Sequence, residues 1–499
     1  MALADKYTDD EYDITEPHAA AMIESLRAFG YNIHTAIADL IDNSISAGAK
    51  NVWLTFFWDG SESYASIRDD GKGMTETELI NAMRLGSRSP RERREADDLG
   101  RFGLGLKTAS FSQCRRLTVG SRAVGHKSVT RRWDLDYVNQ TGEWRLLRSV
   151  APGSEARLAE LDEVESGTVV LWECMDRVVG GTKTDDQKAQ NRFLEIIEDV
   201  EKHLAMVFHR FLERRNQLHV WINDSSIEPW NPFLTKEKAT QFLPEENLYI
   251  RSDKVAIQPY VLPHHSKVDQ QTYEKAAGPN GWNAQQGFYI YRNERMLVAG
   301  DWLDLGLQRD EHCKLARIQV DLPNSTDSDW SIDVKKSRAR PPASLRADLK
   351  RIARLTRGKA ADIYRYRGRV IARQSSESYV FPWLKKVKHG KVFYSINPEH
   401  PLVKETLNLS QEHRQVIRAL LRLIQETVPV QQIWLDSAEN SDQHSQPFEG
   451  VPSKEVKEVI MQVYKALIKS GLSSTEAQRR LITMEPFQHF EELIASLGE

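Results

Sequence analysis

The chain has 499 residues and a formal net charge of −3, with 40% hydrophobic and 28% charged residues. These values are ordinary for a globular protein of two or three domains. The three cysteines are far apart and lack CxxC spacing, which excludes a disulfide framework or a zinc motif and favours a reducing cytoplasm. Because the N-terminus is acidic and no run of about eighteen apolar residues occurs, we expect neither export nor a membrane span.

Residues 31–46 (YNIHTAIADLIDNSIS) predict an amphipathic helix, preceded by a shorter helix over residues 18–29. Asp39 and Asn43 lie four residues apart, so their side chains project from one face of this helix. A carboxylate can accept a proton from water, and an amide oxygen can help to bind a cation such as Mg²⁺. The alternative is that both are solvated surface residues.

Two predicted strands, residues 51–58 and 63–70, lead into the sequence DDGKGM. Asp69 can accept a hydrogen bond from an exocyclic amine of a planar ligand, and Gly71 and Gly73 allow the backbone to approach that ligand closely. The alternative is an acidic, glycine-rich hairpin turn.

A predicted helix over residues 75–86 is followed by residues 87–98, whose polar and charged composition is typical of a mobile loop or lid. The sequence GRFGLGLK (residues 100–107) then opens into a helix that continues to Gln113. Glycines before a helix N-terminus expose N–H groups that suit phosphates, and Lys107 adds a mobile positive charge. The stretch matches neither a Walker A loop nor a Rossmann fingerprint. The alternative is a flexible glycine-rich loop.

Three further strands are predicted over residues 115–122, 128–135 and 168–174, and Thr168 can contact a base through water. The order of these motifs within residues 20–173 resembles the Bergerat-fold ATPases of the GHKL superfamily, which include gyrase B, heat-shock chaperones, sensor histidine kinases, MutL and MORC proteins. The resemblance implies an α/β sandwich, with helices on one face of a mixed sheet and ATP in a pocket closed by the lid.

By position, the resemblance implies that Asn43 binds the magnesium ion that bridges the phosphates, that Asp69 contacts the adenine amino group and that Thr168 supports the adenine. The other residues it places around the nucleotide are Gly71, Gly73 and Met74 near the base, and Gly100, Arg101, Phe102, Gly103, Leu104, Gly105 and Lys107 near the phosphates.

Asp39 departs from the family pattern, because ATP-hydrolysing relatives commonly carry glutamate as the general base that activates water. Either the position of the helix or a bridging water makes up for the shorter side chain. Otherwise hydrolysis is slow, and the protein acts mainly as an ATP-dependent switch. We expect slow but real hydrolysis.

Residues 190–342 continue with a helix over residues 191–215 and a series of strand-like segments. This layout resembles the transducer domain of gyrase, MutL and MORC, a ribosomal-protein-like α/β fold that passes a basic residue back to the γ-phosphate. Lys335 and Lys336 are the candidates for that residue, and Lys336 is preferred. The alternative is two solvated lysines at a strand end.

The segment 335–373 contains fourteen Lys or Arg residues against two Asp, a net charge of +12, and much of it has helical character. Basic side chains interleaved with tyrosines suit contact with phosphates and bases. The alternative is a solvated helix beside an acidic neighbour. The residues expected to contact nucleic acid are Lys350, Arg351, Arg354, Arg357, Arg365 and Arg367.

The remaining chain predicts short strands, an amphipathic helix over residues 411–427 and a terminal group of helices, without catalytic spacing. We interpret it as an interaction module for a protein partner. The predicted divisions are 1–185 for the ATPase domain, 186–345 for the transducer, 346–435 for the basic helix and connecting region, 436–450 for a polar linker and 451–499 for the C-terminal module.

These features and the resemblance predict a cytoplasmic, Mg²⁺-dependent ATPase of the α+β class, with a mostly helical C-terminal region. Its layout is closest to MORC and its prokaryotic relatives, which are often linked to restriction-like defence against foreign DNA. ATP binding would bring two protomers together as a homodimer that clamps or remodels DNA. The alternative is a chaperone-like or regulatory ATP switch that acts on a protein partner without DNA.

Overall fold

The computed structural model describes residues 15, 17–28, 30–86, 105–214, 218–327, 329–332, 339–370, 382–388, 391–408, 411–429, 453–482, 484, 487, 490–495 and 497. The chain divides into two compact units, a first unit of Met1–Arg309 with Leu315–Arg357 and a second unit of Asp310–Lys314 with Gly358–Glu499. The fold is α+β, as expected. The finer domain boundaries drawn from the sequence stay a prediction.

The first unit opens with a mixed sheet whose strand order is β4-β3-β5-β2-β1-β6-β7, in which β6 runs parallel to β1 and the other neighbours are antiparallel. The elements are α1 (Ala19–Arg27), α2 (Ile33–Ser46), β1 (Asn51–Phe57), β2 (Tyr64–Asp69), α3 (Glu76–Met83), α4 (Gly105–Phe111), β3 (Arg116–Arg122), β4 (Val129–Asp134), α5 (Leu135–Thr141), β5 (Gly167–Glu173), α6 (Gln187–Val207), α7 (His209–Glu213), β6 (His219–Ile222) and β7 (Ser225–Ser226).

Helices cover one face of this sheet because the strands alternate in the expected way. Val52, Leu54 and Phe56 of β1 are buried in the same core as Ile37 and Ile41 of α2. On the opposite face, aromatic rings of β1 and β6 stack on one another while remaining partly exposed. The sandwich expected from the resemblance is therefore confirmed for the described residues.

A second sheet in the same unit has the order β12-β11-β13-β10-β8, with β9 paired to β10 and β11 parallel to β13. Its buried residues Tyr289, Tyr291 and Met296 belong to the core of the first sheet, so the two sheets share one apolar interior. The elements are β8 (Gln241–Phe242), β9 (Glu246–Ile250), β10 (Asp253–Val261), α8 (Gln270–Ala276), α9 (Gly281–Ala284), β11 (Gly287–Arg292), β12 (Arg295–Asp301) and β13 (Ala316–Leu322).

A long basic helix, α10 (Ala343–Val370), follows the second sheet. The remaining elements of the described chain are β14 (Trp383–Lys388), β15 (Lys391–Ile396), α11 (Pro401–Leu407), α12 (Gln411–Glu426), α13 (Ser453–Lys469), α14 (Ser474–Ile482) and α15 (Glu491–Ala495). The last three helices pack around a separate apolar cluster that includes Ile460, Leu467 and Leu481. None of the helices in the described ranges combines the length and apolar character that crossing a bilayer requires.

Candidate active site

Helix α2 carries the predicted acid and amide pair. It begins at Ile33 because the side chain of Asn32 caps it, accepting a hydrogen bond from the backbone N–H of Thr35 at 3.1 Å. Asp39 is buried, with 4% of its surface exposed, whereas Asn43 one turn later is exposed. The helix therefore holds a fixed carboxylate beside an accessible amide.

Tyr31 holds one oxygen of the Asp39 carboxylate, since its hydroxyl donates to Oδ2 at 3.0 Å. The other oxygen, Oδ1, lies 4.0 Å from Nη2 of Arg295, which comes from the second sheet. Gly105, the first residue of α4, is also close, because a methyl group built on it would lie 3.9 Å from Oδ2 of Asp39. The carboxylate thus lies between the start of α4 and the second sheet.

The structure adds residues that the sequence did not single out. Asp42, 1% exposed, accepts a hydrogen bond from Nε of Arg295 at 3.1 Å, and Arg295 itself is 3% exposed. The available signals were weak: Asp42 precedes Asn43 directly, and Arg295 is a charged residue at the start of an apolar strand. Nothing in the sequence links two residues separated by 253 positions.

Asp69 ends strand β2 in a buried position. Ser44 of α2 donates a hydrogen bond to its Oδ2 at 2.8 Å, and the backbone N–H of Gly71 donates to its Oδ1 at 2.9 Å. Burial raises the pKa of the Asp69 carboxyl above its usual value, while these two hydrogen bonds act in the opposite direction. Thr168 lies opposite Asp69 in the β2–β5 register.

The glycines after Asp69 lie against neighbouring atoms that leave no room for a side chain. Gly73 has a φ of +66°, and a methyl group on it would lie 1.8 Å from the carbonyl oxygen of Arg122. The next residue, Met74, donates its backbone N–H to the hydroxyl of Ser121 at 2.8 Å. That hydroxyl is 2.9 Å from the hydroxyl of Thr168, so β3 and β5 meet the predicted base-binding segment here.

Lys107 differs from the mobile charge expected of it. Its side chain is 2% exposed, and its amine donates to the backbone carbonyl of Ala82 at 2.8 Å. Burial lowers the pKa of Lys107 to about 8. In α4, whose described residues are Gly105–Phe111, the side chain of Lys107 faces the protein interior. The remaining predicted phosphate residues, Gly100, Arg101, Phe102, Gly103 and Leu104, and the predicted lid lie outside the described residues.

The predicted γ-phosphate residues Lys335 and Lys336 also lie outside the described residues. The predicted nucleic-acid residues are all on α10, where Arg354 is exposed and Lys350 is half-buried. Arg351 forms an ion pair with Glu246 of β9 through both of its terminal nitrogens, and Arg357 lies 4.9 Å from the ring of Trp302. The side chains of Arg365 and Arg367 lie outside the described part.

Residues 31–168 match the family of histidine kinase-, DNA gyrase B- and HSP90-like ATPases. This range includes α2, the end of β2, the start of α4 and Thr168, which are the elements of the site described above. Residues 31–168 are thus similar to the ATPase domain of the GHKL type.

The chain is also similar to the ATPase morc-1 of Caenorhabditis elegans, with 32% identity over 91 residues. The alignment covers 18% of this chain and 10% of the worm protein, so it spans a small part of that relative.

Proposed function

We propose that the chain binds ATP with Mg²⁺ and hydrolyses it slowly, with Asp39 as general base. One observation carries the proposal: α2 places Asp39 next to Gly105 of α4 and carries Asn43 one turn later, and its Ser44 donates a hydrogen bond to the Asp69 carboxylate. A base, a cation ligand and an acceptor for the adenine amine are therefore held by one helix.

Asp69 retains the capacity to bind the adenine amino group. An ionised carboxylate offers about four lone-pair positions, and the contacts from Ser44, Gly71 and the backbone of Thr168 leave about one of them for a ligand. Thr168 and Ser121 contribute hydroxyl groups next to this position. The fixed backbone at Gly73 then supports the proposal that the base lies against the 71–74 segment.

Asp39 would take a proton from the attacking water. The hydrogen bond from Tyr31 fixes the orientation of the carboxylate, which limits the reorganisation needed before proton transfer. The aspartate is one methylene shorter than the glutamate of relatives, and it is buried. These two features support the proposal that turnover is slow.

Magnesium fits the residues present if it is bound mainly through the nucleotide. Asn43 is exposed and offers one amide oxygen, whereas Asp39 and Asp42 are buried. Among the described residues, no group of three or more His, Cys, Asp or Glu is arranged for a metal ion. Mg²⁺ usually keeps several waters and takes one or two protein ligands plus phosphate oxygens, and bound in that way it would neutralise phosphate charge.

We further propose that α10 contacts DNA in an ATP-dependent homodimer, with the C-terminal helices as a site for a protein partner, in a cytoplasmic setting. The net charge of +12 over residues 335–373 and the exposure of Arg354 support the DNA contact. The ion pair between Arg351 and Glu246 favours the second candidate, a regulatory ATP switch acting on a protein, because it uses one of the predicted basic residues internally. A role in defence stays a prediction of the resemblance.

The test is ATP turnover by the full chain, with and without duplex DNA, for the wild type, Asp39→Ala and Asn43→Ala. We expect Asp39→Ala to bind ATP but lose turnover, and Asn43→Ala to lose Mg²⁺-dependent ATP binding. Ser46→Ala is the matched control, since Ser46 lies on α2 but is exposed and donates to the carbonyl of Asp42. Turnover that is unchanged in Asp39→Ala would refute the general-base role.

DNA binding should be measured over a range of salt concentrations. Counterion release predicts a steep loss of affinity with salt if α10 contacts phosphates. Salt-insensitive binding to a folded protein, without DNA binding, would instead favour the regulatory switch.

A further inference from the structure

The turn between β11 and β12 places an arginine, Arg295, next to helix α2. Asn293 and Glu294 form a two-residue turn with φ values of 47° and 69°, and Arg292 pairs with Arg295 across it. Such a turn fixes the register of the two strands. The pairing of β11 with β12 therefore determines the position of Arg295 next to α2.

The guanidinium of Arg295 contacts two carboxylates of α2 and its own strand. Its Nε donates to Asp42 at 3.1 Å, its Nη2 lies 4.0 Å from Asp39, and its Nη1 donates to the carbonyl of Met296 at 2.7 Å. Both carboxylates and the arginine are almost fully buried. Removing one member of such a group costs stability, because the buried charges that remain lose an oppositely charged neighbour.

The spacing of the two carboxylates gives this contact a functional meaning. Asp39 and Asp42 are three residues apart and share a side of α2, so one planar guanidinium reaches both. Asp42 also precedes Asn43, the proposed Mg²⁺ ligand. Arg295 therefore contacts the part of α2 that carries both the proposed base and the proposed cation ligand.

We infer that Arg295 is a positioning residue that orients the carboxylate of Asp39 for ATP hydrolysis. The inference rests on the proposed function of Asp39. Arg295 lies against Oδ1 of Asp39, while the hydroxyl of Tyr31 donates to Oδ2, so the carboxylate is held between these two side chains. Without the guanidinium, that orientation is less well defined, and turnover falls while ATP still binds.

The experiment compares Arg295→Met, Arg295→Lys and the matched control Arg292→Met in the full chain. Arg292 is a buried arginine of the same turn, but its ion pair at 3.0 Å is with Asp327. We expect Arg295→Met to lower kcat at least tenfold with the KM for ATP changed less than threefold. Arg295→Lys should recover part of kcat, because it restores charge without the planar fork, and Arg292→Met should keep kcat within about twofold.

A double variant separates positioning from a purely structural role. Asp42→Asn combined with Arg295→Met removes the charge of one of the two carboxylates that lose Arg295, so its thermal unfolding midpoint should return towards the wild-type value. Its kcat should remain low, because Asp39 still lacks its guanidinium neighbour. Recovery of kcat together with stability would overturn the inference, as would Arg295→Met turnover within twofold of the wild type, or equal losses in both arginine-to-methionine variants.

The two proposals fail in different ways. If the wild type binds ATP without turning it over, both the proposed hydrolysis and the role of Arg295 are overturned. If the wild type hydrolyses ATP and all Arg295 variants do so equally well, only the role of Arg295 is overturned.

Discussion

The hydroxyl of Ser44 donates a hydrogen bond to Oδ2 of Asp69 at 2.8 Å, which joins the last turn of α2 to the end of β2. Asp39 lies five residues before Ser44 on the same rigid helix. Helix α2 therefore fixes the distance between the proposed adenine acceptor, Asp69, and the proposed base, Asp39.

Replacing Ser44 by alanine should weaken ATP binding about tenfold. The change removes a donor to a buried carboxylate, and hydrogen bonds to charged groups contribute about 1.5–3 kcal/mol. Isothermal titration calorimetry with ATP and Mg²⁺ measures the affinity. The effect should be smaller than that of Asp69→Asn, which replaces the proposed adenine acceptor itself.

Ser46→Ala is the control for this prediction, since it removes a hydroxyl from the same turn of α2 without touching Asp69. It should leave ATP affinity within about twofold of the wild type. Equal losses in Ser44→Ala and Ser46→Ala would show that the effect comes from the helix and not from the contact with Asp69.

Gly73→Ala should destabilise the first unit by more than about 3 kcal/mol. A methyl group at Gly73 meets the Arg122 carbonyl at 1.8 Å, and backbone atoms cannot move aside as a flexible side chain can. Gly48→Ala is the matched control, because Gly48 also has a positive φ but has nothing within 4 Å of the added methyl group. That control should cost about 1 kcal/mol, both values being read from urea denaturation. Similar costs for the two variants would contradict the steric argument.

The sequence predicted much of the first sheet and α2, because their patterns are local. Alternation along β1 and the helical repeat of α2 depend on residues within a few positions of each other. The link between Arg295 and Asp42 was missed because it arises only when the second sheet packs on the helix. The burial of Lys107 was missed for a related reason. A glycine-rich stretch indicates exposed N–H groups, but it does not indicate whether the side chain of the following lysine points into the protein or into solvent.

Arg354→Glu should weaken DNA binding more than Arg351→Glu. Arg354 is exposed on α10, whereas Arg351 is held by Glu246 and Asp348 and has less charge available for phosphates. Fluorescence anisotropy with duplex DNA at low and moderate salt measures both affinities and the salt slope. ATP affinity serves as the folding control for both variants. A larger loss in Arg351→Glu would show that the ion pair with Glu246 opens when DNA binds.

The buried amine of Lys107 should make stability depend on pH in the alkaline range. Its pKa is lowered from 10.5 to about 8 in the folded protein, so between these values the unfolded chain holds a proton that the folded protein releases. The free energy of unfolding therefore rises with pH across this window. Relative to Lys107→Met, the wild type should gain about 2 kcal/mol between pH 7.5 and pH 9.5.

Urea denaturation at pH 7.5, 8.5 and 9.5 measures this difference, and Lys72→Met, which removes an exposed lysine, provides the control with no pH-dependent gain. Saturating ATP adds a second arm to the experiment. Phosphates next to Lys107 would favour its charged form and raise its pKa, so ATP should reduce the alkaline gain. A gain that is the same with and without ATP would separate Lys107 from the phosphates, and no gain in either condition would show that its amine reaches solvent.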